Sequence, residues 1–260
     1  MIRNLLLTGG PGHEFDAIAG SLDELFREEG IDTIAVSDPD AMIAMLARAT
    51  GDEGFDLLTV HALRWGMNEA RYAHLREDHS YCLAPADAAV IKDFVLHGGG
   101  LLALHTAVIC FDAEPTWREL CGAAWNWERS SHPPVGDSSI SITHDGRDHP
   151  ITAGLEGFTI HDEIYGVLDE DPDLVPLLSS AHGGREHPVL WAHNVGSGRV
   201  VTDLLGHGIE SIDHPIHRSV LRRAARWASG HDSGSAAERD HNPRTMEQAM
   251  KEQAMKEPRR

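Results

Sequence analysis

A chain of 260 residues, 41% of them apolar and 24% charged, has the material for one compact folded body. Its 22 Lys and Arg stand against 41 Asp and Glu, a net charge of −19, and a field of that sign repels phosphate backbones and anionic lipid headgroups, which argues against nucleic-acid and membrane partners. Three cysteines without a CxxC pair suggest neither a disulfide framework nor a thiolate zinc cluster and fit a reducing cytoplasm, whereas 18 histidines are unusually many.

The opening MIRNLLLTGG is too short for a signal or membrane helix and reads as a strand, residues 2–7, running into the loop GGPGHEF. Further apolar runs bounded by turn residues fall at 31–36, 55–60 and 101–104. Helical-period segments at 15–29, 40–48 and 85–96 lie between them, the last reaching Gly98-Gly99-Gly100 as a C-cap and turn. Strand and helix in alternation predict a doubly wound α/β fold with a mostly parallel sheet and right-handed crossovers. After Thr106 the pattern changes to a short helix at 116–120, a Trp-rich loop, and an alternating run at 138–143 suited to an edge strand. Residues 189–192 and 199–205, joined through Asn194-Val195-Gly196-Ser197-Gly198, read as a hairpin-like pair, and a helix at 216–228 covers one face, so the second half is β-rich. Residues 1–230 are expected to form a single domain, and residues 231–260, with the near-repeat EQAMKEQAMKE, a solvated polar tail.

In open α/β sheets ligands bind beyond the carboxyl ends of the strands, so the strand ends can be read one by one. His13 lies in the loop after the first strand, His61 follows residues 57–60, His105 ends the run 101–104, and His207 follows residues 200–206. Any one of these is most often an ordinary loop residue; four strands delivering histidine to one rim point to a shared crevice. The segment His161-Asp162-Glu163 supplies acid, and because successive residues of an extended chain face opposite ways, Glu163 is assigned to the crevice. His132, His149 and His187 each precede proline, and His132 closes a loop in which Trp125 can stack on a flat ligand; Trp191 and Trp227 read as core.

Neutral imidazoles suit zinc and other first-row divalent ions, and His105, His132 and His207 are the metal set that this reading permits, although no HExxH motif is present. Without metal the same groups would transfer protons near neutrality. The turn after the fourth strand, Leu104-His105-Thr106-Ala107, offers no Ser or Cys nucleophile, Cys110 reads as a small buried hydrophobe, and GGPG lacks the spacing of a phosphate loop.

Taken together, GGGLLALHTA, WRELCGAAW leading to SHPP, HPITAGLEGFTIHDEIY, HPVLWAHNVGSGRVV and the late GHG resemble the ThuA-like, trehalose-utilisation family from Ile2 to Ala228. The resemblance implies a class I glutamine-amidotransferase-like, flavodoxin-like fold and a part in catabolism of disaccharides, including oxidised 3-keto sugars. It also implies a loss, because amidotransferase relatives carry Cys at the elbow where His105 stands, and a His-x-Glu relay is absent since Gly208 and Ile209 separate His207 from Glu210. The motif-matching residues are His105, His132, Glu163 and His207.

The leading expectation is therefore a cytoplasmic hydrolase or lyase acting on a trehalose-like or 3-keto-disaccharide, without amidotransferase activity. His105, His207 and Glu163 would be catalytic, and His13, His61, Trp125 and His132 would bind substrate. The alternative is a non-catalytic sugar-binding or regulatory module. A third reading, from the titration range of imidazole, makes the histidines a pH-dependent homo-oligomer contact.

Overall fold

The computed structural model describes residues 1–48 and 54–231, so the expected tail, apart from His231, lies outside the described residues. In chain order the elements are β1 (Ile2–Gly9), α1 (Phe15–Glu28), β2 (Ile31–Val36), α2 (Pro39–Arg48), β3 (Leu57–Ala62), α3 (Arg76–His79), α4 (Pro85–Leu96), β4 (Gly100–Leu104) and α5 (Pro115–Cys121). There follow β5 (Ala123–Ala124), β6 (Gly136–Ile142), β7 (Phe158–Asp162), β8 (Asp169–Glu170), β9 (Pro176–His182), β10 (Arg185–Val195), β11 (Gly198–Asp203), α6 (Ile209–Ile212) and α7 (Pro215–Ala228).

Among the described residues the main sheet runs β2-β1-β3-β4-β11-β10-β9-β6-β7, parallel from β2 to β11 and antiparallel from β11 to β7. The inner parallel strands β3, β4 and β11 are buried on both faces because helices cover both, whereas the edge strand β2 is largely exposed. Leu57, Leu102 and Val201 pack with Ile18, Leu22 and Phe26 of α1 and Val220 and Leu221 of α7; their neighbours Leu58, Leu101 and Val200 pack with Met42 of α2 and Ile91 and Val95 of α4. α1 is amphipathic at helical spacing, burying Ile18, Leu22, Leu25 and Phe26.

The expected parallel sheet, β-rich second half and hairpin are all present, the hairpin as the antiparallel pair β10 and β11. One placement differs: β6 is not an edge strand, since it lies between β9 and β7. Alternating burial reports one covered face and says nothing of hydrogen-bonded neighbours. The β9–β10 register shifts at Pro188/Leu190 and again at Leu190/Trp191, irregularities of the kind that bend a strand. β7, at the far edge, still ends against the parallel half, where Asp162 accepts a hydrogen bond from Gly206 N–H at 2.7 Å. Among the described residues no helix is long and apolar enough to cross a membrane.

Candidate active site

The chain turns sharply after β4, and His105 takes the corner with φ 47°, a left-handed conformation that costs a non-glycine residue energy. Strand, strained corner and the short helical turn from His105 to Val108 make an elbow that lifts the imidazole to the crevice. Beside it runs the loop after β11. Gly206, at φ 114°, lets that loop pass close, since a Cβ there would sit 3.2 Å from Ile212 Cδ1 and 3.8 Å from His105 Cβ. The loop's carbonyls then fix two tautomers: Leu204 O accepts from His105 Nδ1–H at 2.8 Å, and Gly206 O accepts from His61 Nε2–H at 3.1 Å.

His13 arrives from the glycine-rich loop after β1, held by a 3.4 Å bond from its Nδ1–H to Pro11 O. Its ring centroid is 5.2 Å from that of His105 and 4.6 Å from that of His207. Glu163, just beyond β7, joins the group from the other side. Its Oε2 lies 3.2 Å from His207 Nδ1 and 3.7 Å from His105 Nε2, and its Oε1 lies 3.1 Å from His132 Nδ1. The Tyr165 hydroxyl lies 3.1 Å from His105 Nε2, the nitrogen whose lone pair the Leu204 bond leaves open to the crevice.

Asp162 points the opposite way from Glu163, into the core, where its carboxylate accepts from the N–H groups of Glu163, Gly206 and His207 and from the Ser211 hydroxyl. One buried acid thus ties the two backbone segments that carry Glu163 and His207. Burial raises its pKa, and the Ser211, Gly206 and Glu163 hydrogen bonds offset part of that.

Burial, with the neighbouring rings His13, His61 and His207, holds His105 well below the usual imidazole range, and burial brings His61 down to about 4. His13 is lowered by burial and by His207. His207 is raised instead, because the Glu163 carboxylate beside it outweighs its partial burial. A cluster of neutral imidazoles next to a carboxylate is the donor set of a divalent first-row site.

The fit to a cation can be tested on the polar atoms themselves. His13 Nε2 is buried with no hydrogen-bond partner, an arrangement costing about 1–3 kcal/mol unless something else fills it, and His207 Nδ1 meets only the Glu163 carboxylate. One donor atom each from His13, His105, Glu163 and His207 lies within 4.8 Å of the others, close enough to share an ion. The residues present fit a metal.

This set differs from the expected one. His132, placed among the ligands from sequence, contacts the outer oxygen of Glu163 instead, with 40% of its side chain exposed, and His13 joins the inner group. His61, expected to touch substrate, is wholly buried, its ring 6.5 Å from that of His105 and 5.2 Å from Phe15. β3 continues through Ala62, so His61 is a strand residue supporting the Gly206 loop. Trp125 lies half-buried beside the cluster, 5.2 Å from Tyr165 and 6.0 Å from His132. Tyr165 was not singled out by sequence reasoning, although it sits two residues past Glu163 in HDEIY and follows the same alternation. A small cleft of about 170 Å³ opens at His207, lined also by Glu14, Val135, His161, Ile209 and Glu210.

The family model ThuA, described as trehalose utilisation, matches residues 7–228. Similar solved structures include a ThuA-like protein of Parabacteroides merdae, at 17% identity and TM-score 0.69 over 90% of this chain and 92% of that one. Another, a ThuA-like protein of Bacteroides uniformis, has 15% identity and TM-score 0.64 over 87% and 91%. A cytoplasmic protein of Salmonella typhimurium has 14% identity and TM-score 0.54 over 88% and 98%. At such identities the likeness is one of fold, and the ThuA-like neighbours fit the amidotransferase-like architecture. No curated protein matches the chain.

Proposed function

Because the chain belongs to the ThuA family, whose description is trehalose utilisation, we propose that it is an enzyme of disaccharide catabolism acting on a trehalose-like or 3-keto-disaccharide at the histidine and glutamate cluster. The observation that carries this reading is the convergence of His13, His105, Glu163 and His207, from four separate segments, with donor atoms within 4.8 Å and the buried His13 Nε2 lacking a partner. These four residues would hold a divalent first-row ion such as zinc, which when bound acts as a Lewis acid toward a carbonyl or a water.

The chain's own groups have separate tasks. Leu204 O fixes the His105 tautomer, and Asp162 fixes the backbone of Glu163 and His207, so the cluster is held before substrate arrives. His132, set against Glu163 through Nδ1 and half-exposed, keeps Nε2 for a substrate hydroxyl and can give or take a proton there. Trp125 provides an apolar wall for a sugar face. Glutamine hydrolysis is outside this reading, because His105 holds the elbow that a nucleophile would need. The substrate is a small-molecule carbohydrate and the setting the cytoplasm.

The test is metal analysis of the purified protein followed by product analysis with 3-keto-trehalose and with trehalose. About one ion per chain and turnover that disappears in His105→Ala and in Glu163→Gln, both still folded, are expected. The occupied elbow also favours a second reading, a sugar-binding module without catalysis; binding of either sugar with no turnover by the metal-loaded protein would select it.

A further inference from the structure

The aromatic wall does not end at Trp125. Its ring lies 6.3 Å from that of Trp127, which lies 5.8 Å from Trp65 at 27°, and Tyr72 meets both Trp65 and Trp127 at 5.1 and 6.0 Å. Three separate chain segments therefore build one row, and the row begins at the cluster, since Trp125 packs on Tyr165 and Tyr165 bonds His105.

Trp127 is the member that packing alone does not explain. Trp65 is buried and belongs to the core, but Trp127 is half-buried, with Trp65 nearly parallel behind one face. Its Nε1–H donates to Asp112 Oδ2 at 3.0 Å, and the other oxygen of Asp112 accepts from Gly66 N–H at 3.0 Å. The indole is thus fixed in position without being covered. The loops that fix it are strained: of the four non-glycine residues with positive φ among the described residues, one is His105 and the others are Met67, Phe111 and Val167. Met67 and Phe111 adjoin Gly66 and Asp112, and Val167 O accepts from Ser130 Oγ at the end of the Trp127 loop. Left-handed backbone costs energy, above all at a β-branched residue such as Val167, and persists where a particular geometry is required.

We propose that Trp127, continuous with Trp125 and backed by Trp65, forms a second sugar subsite that takes the far ring of a disaccharide whose near ring lies at the histidine and glutamate cluster. The inference rests on the carbohydrate reading of that cluster and adds selectivity for two linked rings over one. The C–H face of a pyranose packs on an indole as an apolar surface, while the Asp112 carboxylate at the rim accepts from ring hydroxyls. A strip extending from Tyr165 through two indoles is longer than one hexose needs.

The experiment is calorimetric titration of wild type, Trp127→Ala and Trp127→Phe with trehalose and with glucose, with turnover of 3-keto-trehalose followed in parallel and thermal midpoints confirming folding. Wild type should prefer trehalose. Trp127→Ala should lose about tenfold in trehalose affinity with glucose affinity unchanged, and Trp127→Phe should recover most of the loss. Equal binding of the two sugars by wild type, equal weakening of both in Trp127→Ala, no binding of either sugar, or a mass change showing that the row joins two copies of the chain would overturn the proposal. Wild-type KM in Trp127→Ala would overturn it and leave the enzyme reading standing; a clear binding contrast without any turnover would overturn the enzyme reading and leave the subsite.

Discussion

Among the described residues, buried acid meets imidazole at Glu163 and at Asp203, the same chemistry built to different ends. Asp203 and His217 are both 0% exposed and fully satisfied: His217 Nε2 meets Asp203 Oδ2 at 3.1 Å, its Nδ1–H donates to Ser211 O at 2.8 Å, and Asp203 Oδ1 accepts from Leu205 N–H at 3.0 Å. Nothing is left for a ligand, and the pair pins α7 to the end of β11. Around Glu163 the set is incomplete, with His13 Nε2 unpartnered, His207 Nδ1 meeting only the Glu163 carboxylate at 3.2 Å, and His132 facing solvent. A pair whose polar atoms are all satisfied has no donor left for a ligand, whereas an open nitrogen among donors at ion-sharing distance does.

Removing one partner from each pairing puts that distinction under the greatest strain. Asp203→Ala or His217→Ala leaves a buried polar or charged group alone and should cost about 3–5 kcal/mol in chemical denaturation, while folded protein keeps its metal content. His13→Ala should do the reverse, changing stability by about 1 kcal/mol or less but weakening metal binding beyond the roughly 10- to 100-fold typical of a supporting residue. Metal loss in folded His217→Ala with retention in His13→Ala would erase the comparison.

Acidity should sort the same residues by sign. His61, lowered by burial to about 4, stays neutral in the fold while the unfolded chain takes up a proton near 6.5. Stability should therefore be complete above that value and fall by about 3 kcal/mol as pH drops toward 4. His13 and His105, also lowered, add to the fall. His217 has the opposite slope: burial pushes it down, but Asp203, the Ser211 carbonyl and Asp162 together raise it. Its contribution is present below 6.5 and is lost as pH rises through the folded value. Urea titrations of chelator-treated protein across pH 4 to 8 should show the acid loss flattened in His61→Leu. They should show the alkaline loss removed in His217→Gln, and an unchanged acid limb in His61→Leu would contradict the burial account.

What could be read from the sequence divides along the same line as the sheet. β1, β4 and β11 are short apolar runs with a loop at the carboxyl end, so His13, His105 and His207 could be placed on one rim from local pattern. His61 was misjudged because β3 runs two residues past Val60 and keeps it inside. Glu163 was grouped with His105, His132 and His207 through the family resemblance alone, since local pattern does not carry how the antiparallel strands bend around the irregularities between Pro188 and Trp191. β9, PLLSSAH, breaks apolar alternation and was missed. The His217 pair was missed because its members lie 14 residues apart on a strand end and a helix whose meeting only packing decides.

A third pairing supplies the smallest effect and calibrates the other two. His161 Nδ1 and Asp137 Oδ1 are 2.9 Å apart across the β6–β7 ladder, closer than any imidazole of the crevice comes to Glu163, yet the side chains are 49% and 79% exposed. Water already solvates both groups, so the pair gains little from forming and leaves nothing stranded when broken. His161→Ala should change stability by less than about 1 kcal/mol, an effect that shrinks further in high salt, and should leave metal content untouched. Should this variant destabilise the fold as much as His217→Ala does, distance would be the governing variable after all, and the separation of the Glu163 and Asp203 clusters by unsatisfied atoms would lose its footing.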